Sequence, residues 1–244
     1  MTITHATPQR YTTAEFERAV LSHPTAVAVF DCDGTLWSGD SGYGFMVWTI
    51  DTGLVSRSAT DWIDARYRLY LAGNVSEVEM CGEMVQLYAG LREDELRHAA
   101  AEYFRLHTEP HIFSELPVLI EKLQKRGADI WAVSSTNNWV IEEGVRRFNI
   151  PANRVLAACV RINEGRITSD LIDVPTGPAK ADALRRVGIP GPDAVFGNSI
   201  HDEAMLAIAK HAYPINPSPA LTETAGRRGW PVFYPESILA DAKL

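Results

Sequence analysis

Two aspartates, Asp31 and Asp33, stand two residues apart in "FDCDGTLW", directly after the apolar run "AVAV". Burying like charges that close together costs several kcal/mol unless a cation or hydrogen bonds compensate. Paired carboxylate oxygens suit a hard divalent cation, and Mg²⁺ is the metal expected. The structural alternative is a turn or a helix cap, because Asp followed by Gly is common in loops. A calcium loop of the EF-hand type is excluded: Leu36 holds the position that needs glycine, and no acid holds the last ligand position. Further on, Ser134 ends the apolar run of "IWAVSS", and Lys180 in "TGPAKADAL" sits near a helix start. A hydroxyl and a fixed ammonium are what a phosphoryl group needs around its oxygens, beside a nucleophile in line with the leaving group. Taken singly, each also reads as a helix cap or a solvated lysine.

These residues need elements to bring them together. "TAVAVFD" (Thr25 to Asp31), "ADIWAVSS" (Ala128 to Ser135) and "DAVFGN" (Asp193 to Asn198) are short apolar runs that end in polar residues, as buried strands do. Leu116, Ile120 and Leu123 make an apolar stripe before the second run, with Gly127 as the stop, and "AKADALRRVG" precedes the third. Strands alternating with helices predict an α/β fold: a Rossmann-like three-layer sandwich around a mostly parallel sheet. "HAYPIN" and "GWPVFY" read as two further strands, and "VLAACVRINEGRITSDLI" as a hairpin turning around Asn163 to Gly165. Between the first two strands the rhythm breaks. Four amphipathic stretches from about Ser38 to His107 predict an inserted all-helical domain. The expected division is a discontinuous core of residues 1–37 and 108–244 and a helical cap of residues 38–107. Ligands of open α/β sheets bind at the carboxyl ends of the strands. Asp31 and Asp33, Ser134 and Ser135, and Asn198 to Asp202 all fall there.

Composition narrows the function. The 244 residues are 46% hydrophobic, enough to bury a core. No apolar stretch approaches the ~20 residues that span a bilayer, and the N-terminal residues lack a signal peptide's basic start and apolar block. Three scattered cysteines make neither a disulfide framework nor a CxxC metal site, so a cytoplasmic protein is expected. A formal net charge of −8 argues against nucleic acid or an anionic membrane as partner. A small anionic substrate then requires locally placed positive charge. The oligomeric state is not legible.

The order of the clusters resembles the haloacid dehalogenase-like superfamily, in its phosphoserine-phosphatase-like branch. "DCDGTLW" is similar to motif one, "IWAVSS" to motif two, Lys180 to motif three and "FGNSIHDEAML" to motif four. The resemblance implies a phosphatase acting on a small phosphorylated metabolite with Mg²⁺. Asp31 would be the nucleophile that forms an aspartyl-phosphate. Asp33 would be the acid and base, its backbone carbonyl also meeting the metal. Ser134, Ser135 and Lys180 would hold the phosphoryl oxygens. Dehalogenases of the superfamily lack the second acid of motif one, so its presence favours phosphate esters. Motif four departs from the family, with Asn198 where an aspartate is common, while Asp202 remains. Either residue could complete the metal site beside Asp31 and Asp33. The departure sustains a rival reading, a catalytically weak phospholigand-binding protein; a mutase of the same fold is another.

For the substrate, the resemblance points to Asp40 where phosphoserine phosphatases place a glutamate for the ammonium. Met84 stands near the place of their carboxylate-binding arginine, with Arg66 and Arg68 as possible substitutes. Phosphoserine is therefore not the expected substrate. Trp37, Tyr43, Phe45 and Trp48 around Asp40 could surround an organic cation such as a phosphorylated amine, or could simply be cap core. Asp40 could equally be a helix cap. His201 could approach the phosphate or a metal-bound water, or face solvent.

Overall fold

The computed structural model describes residues 7–241. Eight strands form two sheets: β1 (Arg10–Tyr11), β2 (Val27–Phe30), β3 (Asp129–Asn137), β4 (Val155–Asn163), β5 (Arg166–Asp173), β6 (Ala194–Gly197), β7 (His211–Pro214) and β8 (Val232–Phe233). The main sheet has the order β5-β4-β3-β2-β6-β7 and is parallel except for β5, which turns back on β4 through Glu164 and Gly165. Both turn residues have positive φ, 48° and 73°. The predicted sheet and hairpin are thus present. The last predicted strand is placed differently: β8 pairs with β1 in a separate two-stranded parallel sheet and does not extend the main one as a paired strand.

Alternation along the central strands divides the core between the two faces of the sheet. Ala28 and Phe30 of β2 join Ala132 of β3 and Phe196 of β6 on one face; Val29, Val133 and Val195 lie on the other. Helix α1 (Thr13–Leu21) covers the first face through Phe16, stacked on Phe233 at 4.2 Å. On that face, α6 (Glu115–Lys125) buries Leu116, Leu119, Ile120 and Leu123, and α7 (Asn138–Val145) buries Trp139, Val140 and Ile141. The second face is covered by α8 (Pro178–Arg186) through Leu184, α9 (Glu203–Ala207) through Met205 and Leu206, and α10 (Pro219–Arg228) through Leu221. A short α11 (Glu236–Asp241) closes the described chain.

Four α-helices lie between β2 and α6: α2 (Ser41–Asp51), α3 (Arg57–Leu71), α4 (Glu77–Gln86) and α5 (Glu93–Tyr103). Each of the first three starts on a side-chain cap, from Asp40, Ser56 and Ser76 respectively. They pack Phe45, Ile63, Met80, Val85, Leu96 and Ala100 into the core of the first face, so insert and sheet share one hydrophobic cluster. The hairpin reinforces that junction. Gly90 N–H donates to the Ile167 carbonyl (2.8 Å), Ile167 N–H to Leu91 (3.0 Å), and Glu93 N–H to Gly165 (2.9 Å).

Candidate active site

The cluster forms where β2, β3 and β6 end side by side. The alternation that sends Val29 to the second face sends Asp31 there too, towards α8. Its backbone N–H donates to the Phe196 carbonyl at 2.9 Å, fixing it to β6. Lys180, in the first turn of α8, places Nζ 2.7 Å from Asp31 Oδ1 and 2.6 Å from Asp202 Oδ1. All three side chains are at least nine-tenths buried. Thr35 Oγ1 donates to Asp31 Oδ2 at 2.7 Å. Burial raises the Asp31 carboxyl above the usual range and the nearby Asp202 charge adds to this, while Lys180 and Thr35 pull it back. For Lys180, burial opposes the charge, but the two carboxylates outweigh it and hold the ammonium well above its ordinary value. Lys180 is therefore a fixed cation.

Asp33 is engaged separately. Its Oδ1 accepts from Trp37 Nε1 and from Ser41 N–H, both at 2.7 Å, and its Oδ2 from Thr136 Oγ1 at 2.7 Å. The two aspartates are thus reconciled by different partners, a lysine and a threonine for one and three donors for the other. Ser134 is buried and its Oγ accepts from Thr136 N–H at 3.1 Å. Ser134, Ser135, Asp31, Asp33, Lys180, Asn198 and His201 line one cavity of about 210 Å³. Every predicted phosphate-side residue is there except Asp202.

Asp202 lies beneath, fully buried. Its Oδ2 accepts from the N–H groups of Asn198 (2.8 Å) and Ser199 (2.9 Å), and its Oδ1 is taken by Lys180. It thus shapes the loop that presents Asn198. Gly197 permits this, since a Cβ there would fall 2.6 Å from the Asp202 Cβ. The Asn198 amide in turn rests on the motif-one turn: a Cβ on Gly34, whose φ is +74°, would lie 1.8 Å from Asn198 Nδ2. Asp31, Asp33 and Asn198 line the cavity together, and carboxylate, amide and main-chain oxygen are the chemistry that suits Mg²⁺. Among the described residues no group of three or more His, Cys, Asp or Glu is placed to hold a metal.

A second cavity of about 190 Å³ adjoins the first and shares Asp40, Glu77, Ser135 and Thr136 with it. Asp40 does cap α2, accepting from Tyr43 N–H at 2.9 Å, and it also lines both cavities. Burial, with the Asp33 charge behind it, pushes its carboxyl up to about 6. Met84 also lines the second cavity. The arginines do not substitute for it. Arg66 forms a bidentate pair with Glu83 at 2.8 Å, and Arg68 is exposed beside Asp64. Of the two readings of the aromatics, packing in the core describes three of the four. Trp37 and Phe45 are fully buried, Trp48 packs with Phe45 and Tyr103, and only Tyr43 of the four reaches the cavity. Tyr67 and Tyr70 of α3 join it, with Tyr43 and Tyr67 stacked at 5.1 Å.

His201 faces the insert. Its Nε2 is 2.6 Å from Glu77 Oε2, and Glu77 Oε1 accepts from Thr176 Oγ1 at 2.8 Å. The bond to Glu77 raises the imidazole above its ordinary value despite partial burial. Thr35, Thr136, Thr176 and Glu77 are the site residues that motif reading passed over. Thr35 follows the acid pair after one glycine and Thr136 follows Ser135, so proximity in sequence was the available signal; nothing in sequence ties Glu77 to His201.

A doubly covered, mostly parallel sheet with a buried acid–lysine contact at its central strand ends is an α/β architecture with its polar cluster where such sheets bind ligands. Residues 28–207 match the family model of the haloacid dehalogenase-like hydrolases, and the chain belongs to that family. Among curated relatives, an "Inhibition of morphological differentiation protein" of Streptomyces azureus is 28% identical, covering 86% of this chain and 79% of its own. A histidinol-phosphatase of Neisseria meningitidis serogroup C is 25% identical, covering 84% and 97%. Among solved structures, a protein from Bordetella pertussis Tohama I shares the fold with a TM-score of 0.76 at 22% identity, covering 86% of this chain and 99% of that one. A probable phosphoserine phosphatase from Vibrio cholerae does so with a TM-score of 0.63 at 15% identity, covering 84% and 59%.

Proposed function

We propose that the chain is a phosphomonoesterase that hydrolyses small phosphorylated metabolites through a phosphorylated Asp31. The observation that carries this reading is the buried contact of Lys180 with Asp31 at the floor of a polar cavity. A carboxylate approaching a phosphate dianion meets repulsion, and a fixed ammonium offsets it. Asp31, the main-chain carbonyl of Asp33 and Asn198 would hold Mg²⁺, which when bound supplies further positive charge against the same repulsion.

In this mechanism an Asp31 oxygen forms the new bond to phosphorus, and the ester P–O bond breaks with its electron pair on the alcohol oxygen. Protonated Asp33 delivers its proton to that oxygen. Asp33, now a carboxylate, takes a proton from water as the water oxygen attacks phosphorus, releasing phosphate and restoring Asp31. Trp37, Ser41 and Thr136 hold Asp33 in one orientation through both steps. Ser134 and Ser135 steady the phosphoryl oxygens. Helices α2 to α5, within the expected cap of residues 38–107, cover the alcohol side and exclude water. The partner is then a small phosphorylated metabolite, not nucleic acid or membrane, and the setting cytoplasmic. Among the described residues no helix is long and apolar enough to cross a membrane.

The test is phosphate release from a panel of phosphomonoesters with Mg²⁺, with chelator, and with Asp31→Asn. Release that needs Mg²⁺ and disappears in the variant is the expected result. Binding of the esters without release would instead favour the phospholigand-binding reading raised by Asn198, and an isomerised sugar phosphate without free phosphate would favour a mutase.

A further inference from the structure

We infer that Glu77 selects the substrate, its carboxylate receiving, together with Asp40, an ammonium group on the alcohol side of the phosphomonoester. This rests on the phosphomonoesterase reading and gives the substrate class: aminoalkyl phosphates that carry no carboxylate.

Glu77 is the first residue of α4 and reaches the seam of the two cavities. It lines the phosphate side with Asp31 and Lys180, and the inner chamber with Asp40, Tyr67 and Tyr70. Neither lysine nor arginine lines the inner chamber, whose charged groups are Asp40 and Glu77 alone. His201 touches Glu77 from the phosphate side and Thr176 takes its other oxygen. A carboxylate offers about four acceptor positions, so ligand donors can still bind. Tyrosine faces attract an ammonium and do not attract a carboxylate. Phosphate and ammonium of one ligand would therefore be sorted by charge, the first towards Lys180 and the second towards Glu77 and Asp40. A phosphorylated amino acid would bring its carboxylate beside Asp40 and Glu77, with the nearest base, His201, outside the chamber and already bonded to Glu77, an arrangement disfavoured by like-charge repulsion. Met84, apolar and on the same helix, offers that carboxylate nothing.

The test compares phosphoethanolamine with its hydroxyl counterpart, 2-hydroxyethyl phosphate, on wild type and Glu77→Gln, with p-nitrophenyl phosphate and phosphoserine alongside. Wild type should favour the amine over the hydroxyl ester by at least about tenfold in kcat/KM, the scale of one charge-assisted hydrogen bond. Glu77→Gln should cut that ratio by about tenfold, mainly through KM for the amine. A general loss of cap stability would lower both esters together and leave the ratio alone. A wild-type ratio near one, a variant ratio within about threefold of wild type, or phosphoserine turned over as well as phosphoethanolamine would each overturn the inference. If wild type releases phosphate from p-nitrophenyl phosphate in any of those cases, the phosphatase reading survives. If it releases none from any ester, that reading fails, and calorimetric binding of phosphoethanolamine decides the inference: about tenfold weaker binding by Glu77→Gln supports it, equal binding overturns it.

Discussion

Lys180→Met should be costly to stability in a way that depends on pH. The side chains of Lys180, Asp31 and Asp202 are 3%, 7% and 0% exposed, so removing the ammonium leaves two carboxylates without their shared cation. Removing one partner of a buried ion pair costs about 3–5 kcal/mol. Asp202 keeps two main-chain donors and Asp31 keeps Thr35, which places the expected loss near the lower end, about 3 kcal/mol at pH 8. Without Lys180 the folded-state Asp31 carboxyl rises further above its unfolded value. A group with a raised folded pKa stabilises fully below its unfolded value and loses that contribution as pH climbs through the folded one. The deficit should therefore be largest at pH 8 and shrink towards pH 5 as Asp31 takes up a proton. Urea unfolding with chelator present, at pH 5, 6.5 and 8, measures it. Adding Asp31→Asn should recover part of the loss, so the two changes are less than additive. A deficit under about 1 kcal/mol at pH 8, or one independent of pH, would refute the view that Lys180 favours the ionised Asp31 carboxylate.

Two further outcomes follow from the same geometry. Asn198→Asp adds a charge to the oxygen donors without changing side-chain size, so the Mg²⁺ concentration giving half-maximal phosphate release should fall several-fold; an unchanged or higher requirement would remove Asn198 from the metal site. The His201–Glu77 pair should stabilise most between roughly pH 5 and 7. Glu77, with a lowered value, loses its share as pH falls through the carboxylate range. His201, with a raised one, loses its share as pH rises past the histidine range. The Tm difference between wild type and His201→Gln, followed from pH 4 to 9, should peak in that window; a flat difference would show that the pair adds no charge–charge stabilisation.

The sheet was legible because its central strands are short apolar runs with period-two burial and polar ends, and the hairpin because "NEG" supplies its turn. Strand β1 was not, because two residues carry no periodicity; β8 was legible as a strand within "GWPVFY", but not its partner, because that pairing joins positions more than two hundred residues apart. In the site, Asp31, Asp33, Ser134 and Lys180 could be found since each sits at a strand end or helix start in a known order. Which carboxylate touches Lys180 could not: Asp202 resembles a metal ligand in sequence, and only the fold turns its oxygens onto Lys180 and the loop N–H groups. Which aromatics line the cavity was hidden for a similar reason. Trp37 and Phe45 lie near Asp40 in sequence but face the core, whereas Tyr67 and Tyr70 arrive from the next helix.

The hairpin's grip on the insert has a mechanical consequence. Residues Gly90 to Glu93 are stitched to β5 by main-chain hydrogen bonds, so the end of α4 and the start of α5 travel with the sheet. A hinge that swung all four helices away as one body would have to tear that seam. The opposite end of α4 is held to the core chiefly by side chains, at Glu77 with His201 and Thr176. The unstitched end of α4 is the end that carries Glu77, so on the inference above a substrate ammonium would compete with His201 for the same oxygen at the corner of the insert that main-chain bonds do not secure.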